Sequence, residues 1–92
     1  MTEKEKMLQG LLYDASVDEL TQERLAAKEL CFAYNQTPPS DEAQQRELMR
    51  RLLGAVSERF TILALFWCDY GCNITVGEDF FANHNTVILD CA

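Results

Sequence analysis

Cys68-Asp69-Tyr70-Gly71-Cys72-Asn73-Ile74-Thr75-Val76-Gly77-Glu78-Asp79-Phe80-Phe81-Ala82-Asn83-His84-Asn85-Thr86-Val87-Ile88-Leu89-Asp90 is the stretch whose reading decides the fold. It mixes β-branched and aromatic residues with glycines and asparagines, which is strand-and-corner chemistry. It also carries a period of six. Positions 70, 76, 82 and 88 are Tyr, Val, Ala and Ile, and positions 68, 74, 80 and 86 are Cys, Ile, Phe and Thr. A six-residue repeat of short strands points to a β-solenoid, whose turns bury their apolar side only by stacking.

Working outward, residues 60–67 are β-branched, leucine-rich and aromatic, and read as a strand or extended approach to the repeat. Upstream the periodicity changes to that of helices. Thr2 and Glu5 form a T-x-x-E capping box, followed by Met7, Leu8, Leu11 and Leu12 on one face with Gly10 inside the helix. Tyr13-Asp14-Ala15 links to a second capping box, Ser16 and Glu19, and a helix from about Val17 to Tyr34. Its inward face uses Leu20, Ala27, Leu30, Cys31 and Tyr34. Asn35 reads as its stop, and Pro38-Pro39 forbids continuation. Ser40 or Asp41 caps a third helix to about Val56, with Leu48, Leu52, Ala55 and Val56 inward. Architecture is expected to change between Ser57 and Phe60. This gives an α+β chain with a helical domain over 1–59 and a solenoid start over 60–92.

Charge and size narrow the function. Ninety-two residues suit one small domain, and 48% hydrophobic content favours folding. The net charge is −7, and residues 60–92 hold four acids and no Lys or Arg. No basic stripe is available for nucleic acid, so that partner class is excluded. The mixed-charge N-terminus does not read as a signal peptide, and no run is long enough to span a membrane. A cytoplasmic location is expected, with the four cysteines reduced.

Several motifs in order carry a family resemblance. Met1-Thr2-Glu3-Lys4-Glu5-Lys6-Met7 with Gly10-Leu11-Leu12-Tyr13 looks like the opening of the maltose and galactoside O-acetyltransferases. Arg24-Leu25 with Tyr34-Asn35 resembles their second helix. Cys68-Asp69-Tyr70-Gly71-Cys72-Asn73-Ile74 is similar to their Cys-Asp-Tyr-Gly-x-Asn-Ile motif. Phe80-Phe81-Ala82-Asn83-His84-Asn85 with Leu89-Asp90 resembles their Phe-Phe-Ala-Asn-Phe-Asn and Leu-Asp segment.

The resemblance implies a helical N-terminal region followed by the first, incomplete coils of a left-handed β-helix of hexapeptide repeats. It implies homotrimers that move an acetyl group from acetyl-CoA to a sugar acceptor, with sites between subunits and a histidine base. That histidine, in a Thr-x-His-Pro-like setting, and the main coenzyme contacts lie in the part of the family beyond these 92 residues. His84 falls at an aromatic position and is not that base. The chain therefore reads as truncated, with no catalytic residue of its own and no cofactor expected to bind it alone. The rival reading is a non-catalytic helical module, from a truncated or degenerate gene, that self-associates through exposed β-edges.

The resemblance also implies acceptor contacts. Asp69 and Asn83 match sugar-contacting positions, where a carboxylate accepts from hydroxyls and an amide both donates and accepts. Without that role, Asp69 is a turn carboxylate and Asn83 shapes a corner. Asp90 lies at or beside a third acidic position, which a gap-free match puts at Cys91. Asp14 lies one residue from a helix-link acid that a gap-free match puts at Ala15, and it otherwise reads as a helix-end acid near Ser16. Cys68, Cys72, His84 and Cys91 lack the paired spacing of a zinc site, so no metal is expected.

Overall fold

A computed structural model describes residues 1–92. Three helices precede six short strands. They are α1 (Glu3–Leu8), α2 (Asp18–Gln36), α3 (Glu42–Leu52), β1 (Ala55–Val56), β2 (Phe60–Ile62), β3 (Phe66–Cys68), β4 (Thr75–Val76), β5 (Phe80–Ala82) and β6 (Thr86–Ile88). β1 pairs with β4, β2 with β5 and β3 with β6, all parallel. Two coils are thus stacked, one strand of each on every side. They are the first coils of a left-handed β-helix, capped by helices, and the chain is α+β.

The six-residue period is present, with one interruption. Inward residues run Val56, Ile62, Cys68 in the first coil and Val76, Ala82, Ile88 directly beneath them. Each step is six except at the corner after β3, where Cys68 to Val76 is eight. Tyr70 therefore leaves the inward row expected of it. It sits in the enlarged corner and packs against Met7 and Leu20.

Helix ends differ from the sequence expectation for local reasons. α1 stops at Leu8, because Gly10 takes φ +76° and ends the helix instead of sitting within it. The Leu11 N–H donates to the Lys6 carbonyl at 2.9 Å and the Gly10 N–H to Met7 at 3.1 Å, a Schellman closure. Leu11 and Leu12 are consequently exposed. The Thr2–Glu5 capping box forms as expected. The Ser16 box does not: the Ser16 N–H and Oγ both bond Asp14 Oδ1, and Val17 begins α2 without a side-chain cap.

α2 buries Leu20, Ala27, Cys31 and Tyr34, the face its spacing predicts. Asn35 does not stop it; the helix runs on to Gln36. α3, capped by Asp41, ends at Leu52 instead of Val56. The switch to strands occurs at Gly54, whose N–H donates to the Ile74 carbonyl at 2.9 Å. A Cβ there would lie 2.2 Å from the Cys72 carbonyl oxygen, so only glycine admits this approach.

The helices do more than cover apolar surface. The upper edge of the first coil has no strand above it, and an unpaired edge is costly when buried and hazardous when exposed. α2 supplies the missing partners from its side chains. Tyr34 Oη donates to the Ile62 carbonyl at 2.5 Å, Asn35 bonds both backbone groups of Phe66, and Lys28 Nζ donates to the Cys68 carbonyl. Burial pushes the Tyr34 phenol up to about 12, so it stays a neutral donor.

Candidate functional site at the third corner

The enlarged corner, residues 69–74, is built by three neighbours. Gly71 adopts φ +81°, and a Cβ on it would lie 2.3 Å from the Leu52 carbonyl oxygen. The end of α3 therefore rests directly on the corner. From the coil below, the buried Asp90 carboxylate accepts from the backbone N–H groups of Asp69 (3.0 Å), Tyr70 (2.9 Å) and Asn73 (3.4 Å). Asn73 Nδ2 returns a bond to the Asp90 carbonyl at 2.8 Å. Charge-assisted bonds of this kind are about twice as strong as neutral ones. From the side, Arg24 Nη1 donates to Tyr70 Oη at 2.9 Å, and its guanidinium lies 6.0 Å from the Tyr70 ring centroid.

This frame leaves Asp69 at the rim. Its carboxylate is one-fifth exposed, with Lys28 Nζ at 3.7 Å from Oδ1 and the Cys91 thiol donating to Oδ2 at 3.6 Å. A fixed carboxylate beside an ammonium and a thiol can accept from one hydroxyl while the ammonium donates to another. The corner thus presents a carboxylate, an ammonium and a thiol side by side at its rim.

Of the residues singled out from the sequence, the structure brings Asp69, Asp90 and Cys91 together. Asp90 spends its carboxylate on backbone N–H groups and leaves little for a ligand. Asp14 is exposed on the α1–α2 link, where its N–H donates to Glu3 Oε1 at 2.6 Å. Its carboxyl is held below the ordinary range by the Ser16 hydroxyl and N–H. The adjoining Tyr13 packs against the cluster around Tyr70, so this link borders the corner.

Asn83 lies elsewhere. It is exposed at the corner before β6, and its Oδ1 accepts from the His84 N–H at 2.8 Å. Asp69 follows β3, so the two occupy opposite ends of the β3–β6 face. A three-residue strand and the corner before it lie between those ends, so at ~3.3 Å per strand residue they stand on the order of 10–20 Å apart. His84 is exposed beside Asn83, and its Nδ1 bonds the Ala64 carbonyl.

The four residues weighed as a zinc set have four separate surroundings. Cys68 meets Cys31, Cys72 is exposed beside Asn73, Cys91 meets Asp69 and His84 meets Ala64. No group of three or more potential ligands converges. Lys28 was not singled out from the sequence, and Arg24 was noted only as part of a helix motif, without its contact to Tyr70. Their signal was available: two bases four apart on α2, flanking the buried Ala27–Cys31 face.

Comparisons with known proteins agree with this architecture. Residues 6–57 match the family model described as the maltose acetyltransferase hexapeptide capping motif. A Staphylococcus haemolyticus protein named as a candidate acetyltransferase is 44% identical over 91 residues, covering 98% of this chain and 47% of its own length. A Saccharomyces cerevisiae protein named in the same way is 44% identical over 89 residues, covering 96% of this chain and 45% of its own.

A maltose O-acetyltransferase from Clostridium difficile superposes with a TM-score of 0.97 at 41% identity, over 99% of this chain and 49% of that one. A galactoside acetyltransferase in complex with coenzyme A superposes at 0.83 and 27% identity, over 98% of this chain and 45% of that one. The chain spans about half the length of the relatives it matches.

Proposed function

This chain belongs to the family defined by the maltose acetyltransferase hexapeptide capping motif, a family of hexapeptide-repeat acetyltransferases, and from that premise we propose that it is the N-terminal part of an acetyl-CoA-dependent sugar O-acetyltransferase. Acetyl-CoA or coenzyme A is bound in structures of its neighbours, which supports acetyl-CoA as the family's co-substrate. In this reading, the helices up to Leu52 cap the β-helix, whose first coil begins with β1 at Ala55, ahead of the boundary at residue 60 expected from the sequence. The histidine base and the coenzyme groove belong to the part of the relatives that these residues do not span. The base deprotonates the sugar hydroxyl, which attacks the thioester carbonyl; the C–S bond then breaks and coenzyme A leaves as the thiol, taking the proton from the base.

The observation that carries the proposal is the superposition on a maltose O-acetyltransferase at a TM-score of 0.97. In this reading Asp69 accepts a hydroxyl of the acceptor and Asn83 supplies an amide, a positioning contribution. Asp90 acts by holding the Asp69 corner, and Asp14 borders it. Because Asp69 and Asn83 stand at opposite ends of one face, a single small sugar reaches both only if they come from different copies. That supports a homotrimer with shared sites. It also implies that the enzyme is assembled before it is active.

The test is acetyl transfer from acetyl-CoA to maltose, glucose or a galactoside. The pure 92-residue chain is expected to show none, and a chain extended through the relatives' remaining coils is expected to restore it. Transfer by the short chain would overturn the assignment of base and coenzyme groove.

A second reading is favoured by the outward row on the β3–β6 face. Trp67 and Val87 are in register there, and Val87 is exposed, as are the flanking Leu65 and Leu89. Such a row suits self-association without catalysis. An extended chain that assembles yet transfers no acetyl group would favour this reading.

A further inference from the structure

Cys31 and Cys68 are both fully buried, and their sulfurs lie 3.8 Å apart. One is on α2, in the helical cap; the other ends β3, in the first coil. They are 37 residues apart in sequence. We propose that these two thiols form a redox clamp, closing to a disulfide that locks the helical cap onto the first coil directly beneath Asp69.

The two sulfurs are already in contact. A disulfide needs sulfurs at about 2.0 Å, so roughly 1.8 Å must be closed, divided between two side-chain rotations. The surroundings also assign the roles. Either thiol can donate to the other; with Cys68 as the donor and the Lys28 ammonium nearby, Cys31 ionises more readily than an ordinary thiol while Cys68 is held protonated. The thiolate is the nucleophile in thiol oxidation.

The oxidant class follows from burial. Neither sulfur is reachable by a bulky disulfide such as glutathione disulfide, whereas hydrogen peroxide is little larger than water and enters by small local openings. The Cys31 thiolate attacks one peroxide oxygen, the O–O bond breaks, and a sulfenic acid forms with loss of hydroxide. Cys68 sulfur then attacks the Cys31 sulfur, the S–O bond breaks, and the Cys68 proton and the leaving hydroxyl depart as water. Two electrons pass from the thiols to the peroxide, which ends as two waters.

The clamp acts on the corner through α2. Lys28 lies one turn before Cys31 and reaches both the Cys68 carbonyl and the Asp69 carboxylate. Tightening α2 on β3 therefore fixes the ammonium against Asp69. Cys72 and Cys91 stay outside it, Cys72 exposed and Cys91 half-buried against Asp69.

The test is peptide mapping of the full chain after hydrogen peroxide treatment and alkylation. Cleavage before aspartate puts the four cysteines on four separate peptides. The expected product joins the Cys31 and Cys68 peptides, two hydrogens lighter than the pair. Its formation raises Tm by about 10 °C, and dithiothreitol reverses both changes. Cys31→Ser and Cys68→Ser each abolish the linked peptide and the shift. Recovery of Cys31 and Cys68 as alkylated thiols once Cys72 is fully oxidised overturns the proposal. So does a Cys31 link to Cys72 or Cys91, or a Cys31–Cys68 link that leaves Tm unchanged.

Discussion

The side-chain amide of Asn35 bonds both backbone groups of Phe66: Nδ2 donates to its carbonyl at 3.1 Å, and Oδ1 accepts from its N–H at 2.9 Å. A helix thereby finishes the edge of a strand. The pair lies next to Tyr34 on α2, whose hydroxyl serves Ile62 in the same way. These contacts dock α2 on the first coil and hold up the third corner, because β3 leads directly into Asp69.

Removing the Asn35 amide should leave two backbone groups without partners. Asn35→Ala is expected to lower unfolding stability by ~2 kcal/mol, read from urea denaturation. Asn35→Asp keeps the acceptor but turns a carboxylate oxygen toward the Phe66 carbonyl. It should cost at least as much at pH 7 and recover part of the loss in acid, where protonation restores a donor. Equal stability of Asn35→Asp and the parent at pH 7 would count against the two-bond geometry.

The glycines divide sharply. Gly54→Ala and Gly71→Ala each force a Cβ to within 2.3 Å of a backbone oxygen, at Cys72 and Leu52 respectively. Each is expected to cost ~3 kcal/mol or more, since backbone cannot move aside as a side chain can. Gly77 has nothing near its Cβ position. Gly77→Ala should change stability by less than ~0.5 kcal/mol. Thermal melts of the three variants check the ranking.

Asp69 and Asp90 are neighbours with different work. Asp90 is buried and accepts three N–H groups, so Asp90→Ala should cost about 3 kcal/mol and loosen the corner. Asp69 has an ion pair in which Lys28 and Asp69 side chains are 43% and 20% exposed. Asp69→Asn should cost no more than ~1 kcal/mol. If the two variants proved equally unstable, Asp69 would be a structural residue and its role in recognition would lose its support.

Much of this architecture was legible in the residues. The α2 face of Leu20, Ala27, Cys31 and Tyr34 follows from 3.6-residue spacing, because nothing tertiary competes with it. The solenoid follows from the six-residue row, although Tyr70 misleads: the eight-residue corner moves the row from Tyr70 back to Cys68. The end of α3 was misplaced because Ala55 and Val56 fit a helix face as well as a strand. Only the Cys72 carbonyl pressed against Gly54 decides between them. Asn35 carries helix-stop chemistry locally, yet an exposed strand edge gave its amide a stronger use. At the corner, the motif singled out Asp69, but its neighbours Lys28 and Cys91 come from other elements and were not readable from it. Nor was the distance from Asp69 to Asn83, since it depends on which corner each occupies.

The N-terminal link should open in acid before the rest. Glu3, Glu5 and Asp14 all have lowered pKa values. The causes are Lys6 for Glu3, the Thr2 N–H for Glu5 and the Ser16 hydroxyl for Asp14. A depressed carboxyl contributes stability above its ordinary value, here 4.5, 4.5 and 3.8, and loses it as pH falls through the folded value. Below pH about 4, the Thr2 capping box and the Glu3–Asp14 tie should therefore weaken, while the α2–coil contacts, which use none of these groups, persist. Hydrogen exchange at Gly10 and Leu11 should quicken in acid relative to Phe66. Uniform loosening of all three amides would sink the idea.

The β3–β6 face offers a test of assembly. Its outward residues Trp67 and Val87 lie in register, and Leu65, Val87 and Leu89 are 45%, 59% and 73% exposed. A chain of net charge −7 keeps its copies apart electrostatically, so association has to come from apolar contact. Light scattering is expected to show the parent chain in multiples of its monomer mass. Val87→Glu puts a carboxylate into the centre of the row and should return the chain to monomer while the far-ultraviolet circular dichroism of the fold is kept, with Tm falling by whatever association contributed. Val87→Ile keeps the apolar surface and should leave the oligomer intact. A parent chain that is monomeric at every concentration would remove the support for shared sites, and with it the argument that Asp69 and Asn83 serve one acceptor from two copies.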